Sequence, residues 1–290
     1  MQYRPPAYGT LPPVVKNLLI INVLFFVVAN MWQPQLSQHL ALHLWGARDF
    51  APYQLFTHLF MHGSIGHIFF NMFALWNFGT ILEQYWGSKR FLIYYCFTGI
   101  GAAILYMATA HWELLPDLRL LDQFLSNPVP ASLGAILNSD VLAAIGYCEV
   151  LPDPNICSSF DTFSQNAAAF VQSDDKSQLS SLMRYVDDYK AYFLNLRTAV
   201  GASGAIYGLI MAYAMVAPNQ TLYFYGILPI KARYFAILLG VAALVMGLQN
   251  SPGDNIAHFA HLGGMIFGYI LMQYWRKTGG GGTPNIKRWY

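Results

Sequence analysis

The chain has 290 residues, of which 56% are hydrophobic and only 10% are charged, and its formal net charge is +2. Soluble domains carry about 25% charged residues, so a soluble globule of this composition would expose more apolar surface than water tolerates. The small net charge argues against nucleic acid as a partner, and three cysteines are too few for a disulfide scaffold. The lipid bilayer is therefore the expected solvent.

Six apolar stretches are long enough to cross the hydrocarbon core, which takes about 20 residues of helix. In chain order they are residues 14–32, 65–86, 91–110, 198–217, 232–249 and 255–275. The first could instead be a signal peptide, because Lys16 precedes an apolar run of suitable length. However, Val28-Ala29-Asn30 is a poor cleavage site and Trp32 suits an interfacial anchor. The sequence thus predicts an all-α polytopic membrane protein, a bundle of six transmembrane helices.

The basic residues predict the orientation, because cytoplasmic loops of membrane proteins carry an excess of Lys and Arg. With the N-terminus inside, ten of the sixteen basic residues face the cytoplasm, five lie in one long outer segment, and only Arg48 lies in a short outer loop. We therefore expect a multi-pass integral protein, of a bacterial inner membrane, with both termini cytoplasmic.

Composition changes abruptly after the third span, where residues 111–197 contain eleven acidic and five basic residues. This balance predicts an extramembrane insert on the outer side, with helical patterns at 117–125, 131–146 and 177–195. We interpret it as a small helical cap or surface module, and a lid over the substrate path is the alternative. The predicted organisation is a membrane core in two parts (1–110 and 198–276), the insert (111–197) and a flexible tail (277–290).

The first outer loop, residues 33–64, is too polar to span a membrane and too rich in aromatic residues to float free, which favours an interfacial segment.

The three cysteines divide between a span and the insert. Cys148 and Cys157 could form a disulfide on an oxidising outer face, or they could remain two free thiols. Cys96, in the third span, is expected to be a small buried apolar residue.

Polar side chains inside transmembrane helices usually face a bundle interior or a water-filled cavity. The second, fourth and sixth spans each carry such a cluster near the outer end: His67 with Asn71, Ser203 with Tyr207, and His261 with Gly264 and Gly268. These three helices run in the same direction, so the clusters lie at matching depth. They can therefore share one cavity that water reaches from outside.

Two glycine stripes explain how the fourth and sixth helices could touch. Gly204 and Gly208 form one small-xxx-small stripe, and Gly264 and Gly268 form another. A serine hydroxyl must come within about 3 Å of a histidine nitrogen to be activated by it. The glycines thus predict that Ser203 and His261 come within reach.

The Gly201-Ala202-Ser203-Gly204 box, the His67-x-x-x-Asn71 pair, and His261 with its two following glycines resemble the rhomboid family of intramembrane serine proteases. The run Tyr53–Thr57 that leads to His62 is similar too. The resemblance covers residues 14–110 and 198–275, about 60% of the chain, and the combination of motifs is specific. The insert departs from the six-helix family pattern, which leaves the route of substrate access open.

The resemblance implies that Ser203 is the nucleophile and His261 the general base of a catalytic dyad. His67 and Asn71 would stabilise the oxyanion together with the backbone N–H of Ser203, and Tyr207 would hold the His261 ring.

The same resemblance implies that Gly201 lets the backbone approach the substrate, and that Gly204, Gly264 and Gly268 support the site. The implied activity is hydrolysis of peptide bonds in or near transmembrane segments of single-span membrane proteins, with no cofactor and no metal.

Each residue also has a plainer interpretation. Ser203 could hydrogen-bond its own helix, Asn71 could serve only to join helices, and Tyr207 could be ordinary packing. His258 could compete with His261 as the base, although the glycine spacing belongs to His261. His62 is more readily explained as a loop anchor than as a ligand.

Other functional classes fit the sequence less well. His58 and His62 have a zinc-like spacing, but no H-E-x-x-H motif occurs, and every Asp lies outside the spans, which disfavours metalloprotease and aspartyl mechanisms. A non-catalytic rhomboid-like binder is disfavoured by the retention of Ser203 and His261. A transporter is disfavoured by the lack of an in-span acid for ion coupling and of evident inverted repeats.

Overall fold

The computed structural model describes residues 11–33, 35–143, 154–224, 227–249 and 257–278. The α-helices are α1 Pro13–Met31, α2 Gln35–Leu40, α3 Gln54–Thr57, α4 Ile65–Ala74, α5 Thr80–Trp86, α6 Ser88–Ser126, α7 Pro130–Leu137, α8 Pro154–Cys157, α9 Phe160–Ser173, α10 Leu179–Asn195, α11 Ser203–Val216, α12 Ala232–Gln249 and α13 His258–Lys277. Short 3-10 turns occupy His58–Phe60 and Lys176–Gln178. Cys148 and most of the tail 277–290 lie outside the described residues, so the disulfide and the flexible tail stay predictions.

The fold is mostly helical and suited to a membrane, as expected. Four helical stretches of the described chain are long and apolar enough to cross a bilayer: Pro13–Met31, Ile65–Trp86, Ser88–Ser126 and Ala232–Gln249. The prediction of six spans is therefore supported only in part. The helix α11 is apolar but has 14 residues, about 21 Å of helix. The helix α13 carries two histidines and three glycines, which dilute its apolar character.

The second predicted span is one helical rod with a local change of winding. Between α4 and α5, residues Leu75–Gly79 form a π-helical turn. The side chain of Ser64 caps the start of α4 by accepting a hydrogen bond from the backbone N–H of His67. The rod ends at Gly87, whose φ of +79° suits glycine.

The third predicted span does not end at residue 110. The helix α6 continues through Pro116 to Ser126, so residues 117–125 are helical as predicted, but they form the end of this helix rather than a separate one. The reason is that the buried stripe continues past the apolar run, through Leu114, Leu118 and Leu121. The packing of this stripe compensates for the backbone hydrogen bond that is lost at Pro116.

The chain divides into two units, residues 1–42, 52–106 and 199–290 forming the first. Its core is a cluster from α1, α4 to α6, and α11 to α13 that includes Leu75, Tyr94, Leu209 and Met265. The strands β3 Thr221–Phe224 and β4 Leu228–Lys231 pair as an antiparallel hairpin, which the sequence pattern did not predict.

The second unit comprises residues 43–51 and 107–198. Its core packs Phe124 of α6, Phe170 of α9 and Tyr189 of α10, and the Tyr189 hydroxyl donates to the carbonyl of Val141. The helix α9 was absent from the predictions. The strands β1 Leu42–His43 and β2 Thr198–Ala199 pair at the ends of this unit.

Candidate active site

Ser203 is the first residue of α11, at the end of a short extended segment. The fourth predicted span began at residue 198, but the helix begins later because Gly201 has a φ of +120°, which a helix does not allow. The backbone N–H of Gly201 donates to the carbonyl of His58 at 2.9 Å, which ties this segment to the loop before α4. Ser203 therefore sits at a helix N-terminus, where backbone N–H groups lack intrahelical partners.

The side chains of Ser203 and His261 are hydrogen-bonded, with 2.8 Å between Oγ and Nε2. Both residues are partly buried. The ring of Tyr207 stacks on the ring of His261 with centroids 4.2 Å apart and 7° between the planes. One turn of α11 thus supplies both the hydroxyl that contacts the imidazole and the ring that limits its rotation.

Four glycines let α11 and α13 meet at backbone distance. A Cβ on Gly264 would lie 1.8 Å from the carbonyl oxygen of Gly204, and a Cβ on Gly268 would lie 3.2 Å from the Cα of Gly208. The two stripes predicted from the sequence therefore face each other. Any side chain here would push the helices apart and lengthen the Ser203–His261 distance.

The helix α6 also borders this junction, a contact that was not predicted from the sequence. A Cβ on Gly204 would lie 2.5 Å from the Cβ of Ala102, and one on Gly208 would lie 2.6 Å from the Cβ of Thr98. The hydroxyl of Tyr94 donates to the carbonyl of Gly208 at 2.8 Å. The small residues of α6 were a usable signal, because they follow the same small-residue logic as the other two helices.

Gly201, His67 and Asn71 converge beside Ser203. A Cβ on Gly201 would lie 2.7 Å from Nε2 of His67 and 3.6 Å from Nδ2 of Asn71. Asn71 is buried, and its Nδ2 has no hydrogen-bond partner among the described residues. A buried donor without a partner is costly unless a ligand or water uses it. The site therefore presents a free amide donor close to the serine.

Two further buried histidines, His58 and His62, lie near Gly201 and His67, in the segment before α4. His58 is buried and its Nδ1 lies 2.8 Å from the carbonyl of Gln54, while His62 is buried with its ring 5.1 Å from that of His67. Burial lowers the pKa of His58 to about 4 and, with a smaller contribution from His67, that of His62 to about 4. Both rings are therefore neutral at pH 7.

His258 contacts the edge of the dyad. Its ring lies 6.2 Å from that of His261 at 90°, and it is buried. Ser203 is hydrogen-bonded to His261, which is the partner that the glycine spacing favours. In the part of the chain that the structure describes, no group of three His, Cys, Asp or Glu residues is arranged to hold a metal ion.

The arrangement has the parts that acyl transfer requires. A hydroxyl is hydrogen-bonded to an imidazole that can take its proton, and amide and imidazole donors stand on one side of it. The backbone N–H of Ser203, at the helix N-terminus, adds a third donor and the positive end of the α11 dipole.

Comparisons with known proteins identify the family of the domain that contains this site. A profile of the Rhomboid domain matches residues 49–114 and 177–277, which together exceed half of the chain. The two matched stretches contain every residue of the site described above, and they leave residues 115–176 between them.

Individual relatives are distant or match only briefly. Rhomboid protease GluP of Bacillus subtilis is 42% identical over 52 residues, 18% of this chain and 10% of that protein. RHOMBOID-like protein 12, mitochondrial, of Arabidopsis thaliana is 24% identical over 266 residues, 91% of this chain and 59% of that protein. Rhomboid-like protease 3 of Toxoplasma gondii is 27% identical over 99 residues, 33% of this chain and 38% of that protein. The chain thus spans less than two thirds of the length of each.

Proposed function

Because this chain belongs to the rhomboid family, we propose that it is an intramembrane serine endopeptidase. It hydrolyses peptide bonds in or near the transmembrane segments of other membrane proteins, with single-span proteins as the expected substrates. The observation that carries the proposal is the hydrogen bond of 2.8 Å between Oγ of Ser203 and Nε2 of His261.

In the first half of the reaction, Oγ of Ser203 attacks the carbonyl carbon of the scissile bond. Nε2 of His261 takes the hydroxyl proton as the C–O bond forms, and then donates it to the leaving amine as the C–N bond breaks. In the second half, the same nitrogen takes a proton from the water that attacks the acyl-enzyme ester. It returns this proton to Oγ of Ser203 as the ester C–O bond breaks and the carboxyl product leaves. The stacked ring of Tyr207 holds the imidazole in the plane that both transfers need.

The tetrahedral intermediate carries a negative charge on the former carbonyl oxygen. The proposed donors are Nδ2 of Asn71, the ring of His67 and the backbone N–H of Ser203. The unpartnered amide of Asn71 supports this assignment, because a donor that is already desolvated needs little reorganisation when charge develops. Gly201 keeps a side chain from filling the space between these groups and the serine.

We also propose the six-span topology with cytoplasmic termini and a site that opens to the outer face. The helix α11 has ten buried residues among its 14, which suits a short central helix surrounded by longer ones. Its N-terminus would then lie below the membrane surface, in a cavity that water can enter.

The test is cleavage of single-span proteins by the purified chain in detergent and in liposomes. Wild type should cleave at least one member of a substrate panel and should react with a fluorophosphonate probe, while Ser203→Ala and His261→Ala should do neither. Ser173→Ala is the matched control, because the Ser173 hydroxyl only donates to the carbonyl of Ala169 on its own helix. His258→Gln should keep activity, since His261 is the base.

Cleavage that persists in Ser203→Ala would exclude the proposed nucleophile. A wild-type protein that binds single-span proteins without cutting any, and that fails to react with the probe, would favour the non-catalytic binder instead.

A further inference from the structure

A groove of about 340 Å³ lies in the unit formed by residues 43–51 and 107–198, apart from the Ser203 site. Its walls are mainly apolar and come from one loop and one helix: Trp45, Met107, Ala108, His111, Trp112 and Leu115. This volume is at the small end of ligand pockets, and an open groove lined by aromatic and aliphatic side chains suits hydrocarbon.

Two indoles form the most exposed part of the groove. Trp45 is 70% exposed and Trp112 is 76% exposed, and the ring of Trp45 also contacts that of Phe50 at 5.4 Å. In water, two such exposed indoles would be unfavourable because Trp is the largest apolar side chain. At the boundary between hydrocarbon and headgroups the same position is favourable, since the ring is apolar and its N–H is polar.

An exposed stripe of α6 includes part of the groove lining. On α6, Ile104, Ala108 and Trp112 are four residues apart and all exposed. The opposite side is buried at Ala110 and Leu114. Ala108 and Trp112 of the groove thus lie on this exposed stripe.

Two exposed arginines follow the groove indoles in the sequence. Arg119 is exposed on α6 seven residues after Trp112, two turns and about 10.5 Å further along the helix. The headgroup layer extends roughly 5–8 Å beyond the hydrocarbon on each side. If Trp112 marks the boundary, the Arg119 backbone lies just beyond this layer, and its side chain, which leans toward the helix N-terminus, extends back toward the phosphate level. Arg48 is exposed three residues after Trp45. One guanidinium group can donate two parallel hydrogen bonds to two oxygens of a phosphate.

We propose that this groove holds one acyl chain of a phospholipid, from the leaflet at which α6 leaves the membrane, with the phosphate near Arg119 and Arg48. The lipid completes an apolar wall that the described chain leaves open. The site is separate from the dyad, so it does not depend on protease activity.

The experiment uses the full-length Ser203→Ala chain in nanodiscs that contain phosphatidylglycerol with a diazirine on one acyl chain. After irradiation, mass spectrometry should find adducts on residues 107–115 and on Trp45. Replacing both groove indoles, Trp45→Ser with Trp112→Ser, should reduce adducts on residues 107–115 by about tenfold. Adducts on the exposed face of α12, at Ile237 and Val241, should not change, which controls for folding and insertion.

Trp32→Ser is the matched control, because Trp32 is 73% exposed at the end of α1 and outside the groove. It should leave the groove adducts at the wild-type level. Arg48→Gln with Arg119→Gln should reduce capture of the anionic lipid more than capture of a phosphatidylcholine with the same probe.

Two results would overturn the proposal. One is groove adducts that are absent, or equal in the double indole variant and wild type, while α12 is labelled normally. The other is loss of the groove adducts when a single-span substrate is added, which would make the groove a protein-binding surface rather than a lipid site.

Discussion

Gly264 stands so close to Gly204 that a Cβ on Gly264 would lie 1.8 Å from the Gly204 carbonyl oxygen. Gly204 directly follows Ser203, and Gly264 lies three residues after His261. The contact between the two glycines therefore sets the distance between the side chains of Ser203 and His261. The proposed catalytic pair therefore depends on the absence of a methyl group in the helix interface.

Gly264→Ala is therefore expected to separate α11 from α13 and to abolish most of the cleavage activity. A displacement of about 1 Å at reacting groups can cost about 100-fold in rate. Gly240→Ala on α12 is the matched control, because its Cβ would meet only the flexible Met265 side chain at 3.4 Å. The measurement is initial cleavage rate with thermal unfolding in detergent. Full activity in Gly264→Ala would contradict the dependence of the dyad on this close helix contact.

Asn71→Ala should lower kcat by about 100-fold to 1,000-fold and leave KM nearly unchanged. The reason is that a donor to the oxyanion acts on the transition state, not on the bound substrate. Asn77→Ala is the control on the same helical rod, since its exposed amide only donates to the carbonyl of Phe73. A rise in KM at constant kcat would show that Asn71 serves in substrate binding instead.

Tyr207→Phe should retain activity within about threefold, and Tyr207→Leu should lose about tenfold, because an aromatic stack contributes about 0.5–1.5 kcal/mol. The parallel ring contact with His261 at 4.2 Å needs the ring and not the hydroxyl. Steady-state cleavage rates of the two variants, measured side by side, distinguish a role of the ring from a role of the hydroxyl. Equal loss in both would transfer the role to the hydroxyl group.

Stability should fall as the pH drops from about 6.5 toward 4. Burial lowers the pKa of folded His58 to about 4 from its usual 6.5. Between these values the unfolded chain binds a proton that the folded chain excludes, so stability decreases with falling pH, by up to about 3 kcal/mol.

The check is thermal unfolding of the Ser203→Ala chain in detergent at pH 7 and at pH 4.5. His58→Asn keeps a donor for the carbonyl of Gln54 but cannot take up a proton, and it should reduce the pH dependence. His39→Asn, at an exposed position, should reproduce the parent slope. A slope that His58→Asn leaves unaltered would be inconsistent with a neutral buried His58.

Glu83 holds the start of α1, and its removal should destabilise the chain. Its carboxylate accepts the backbone N–H groups of Val14 and Val15 at 3.0 and 2.8 Å, and the hydroxyl of Ser88 at 2.6 Å. Pro12 offers no side-chain cap for α1. Glu83→Ala should cost about 1–3 kcal/mol, measured as a lower unfolding temperature. Glu83→Gln keeps one acceptor oxygen and should lose less; an equal loss would indicate that charge alone matters.

The sequence by itself determined the membrane environment and much of the helical layout. The second and fifth predicted spans end where the structure ends them, at Ile65–Trp86 and Ala232–Gln249, because a long apolar run in lipid must satisfy its own backbone hydrogen bonds as a helix. The spacing of Gly204, Gly208, Gly264 and Gly268 also indicated which two helices could approach closely, since small residues at four-residue spacing line one helix face and let a second backbone pack against it. Membership of the rhomboid family, expected from the motifs, is confirmed.

Tertiary structure decided the rest, because it depends on partners far away in the chain. Gly201 takes its positive φ against His67, 134 residues earlier, and no local pattern predicts that contact. The helix α6 continues past Pro116 because its buried stripe finds a second core, and α9 is a helix because Phe163, Ala167 and Phe170 are buried in that same core. Helix ends and side-chain neighbours of this kind depend on which surfaces pack together in the folded chain. The hydropathy pattern along the sequence does not specify which surfaces these are.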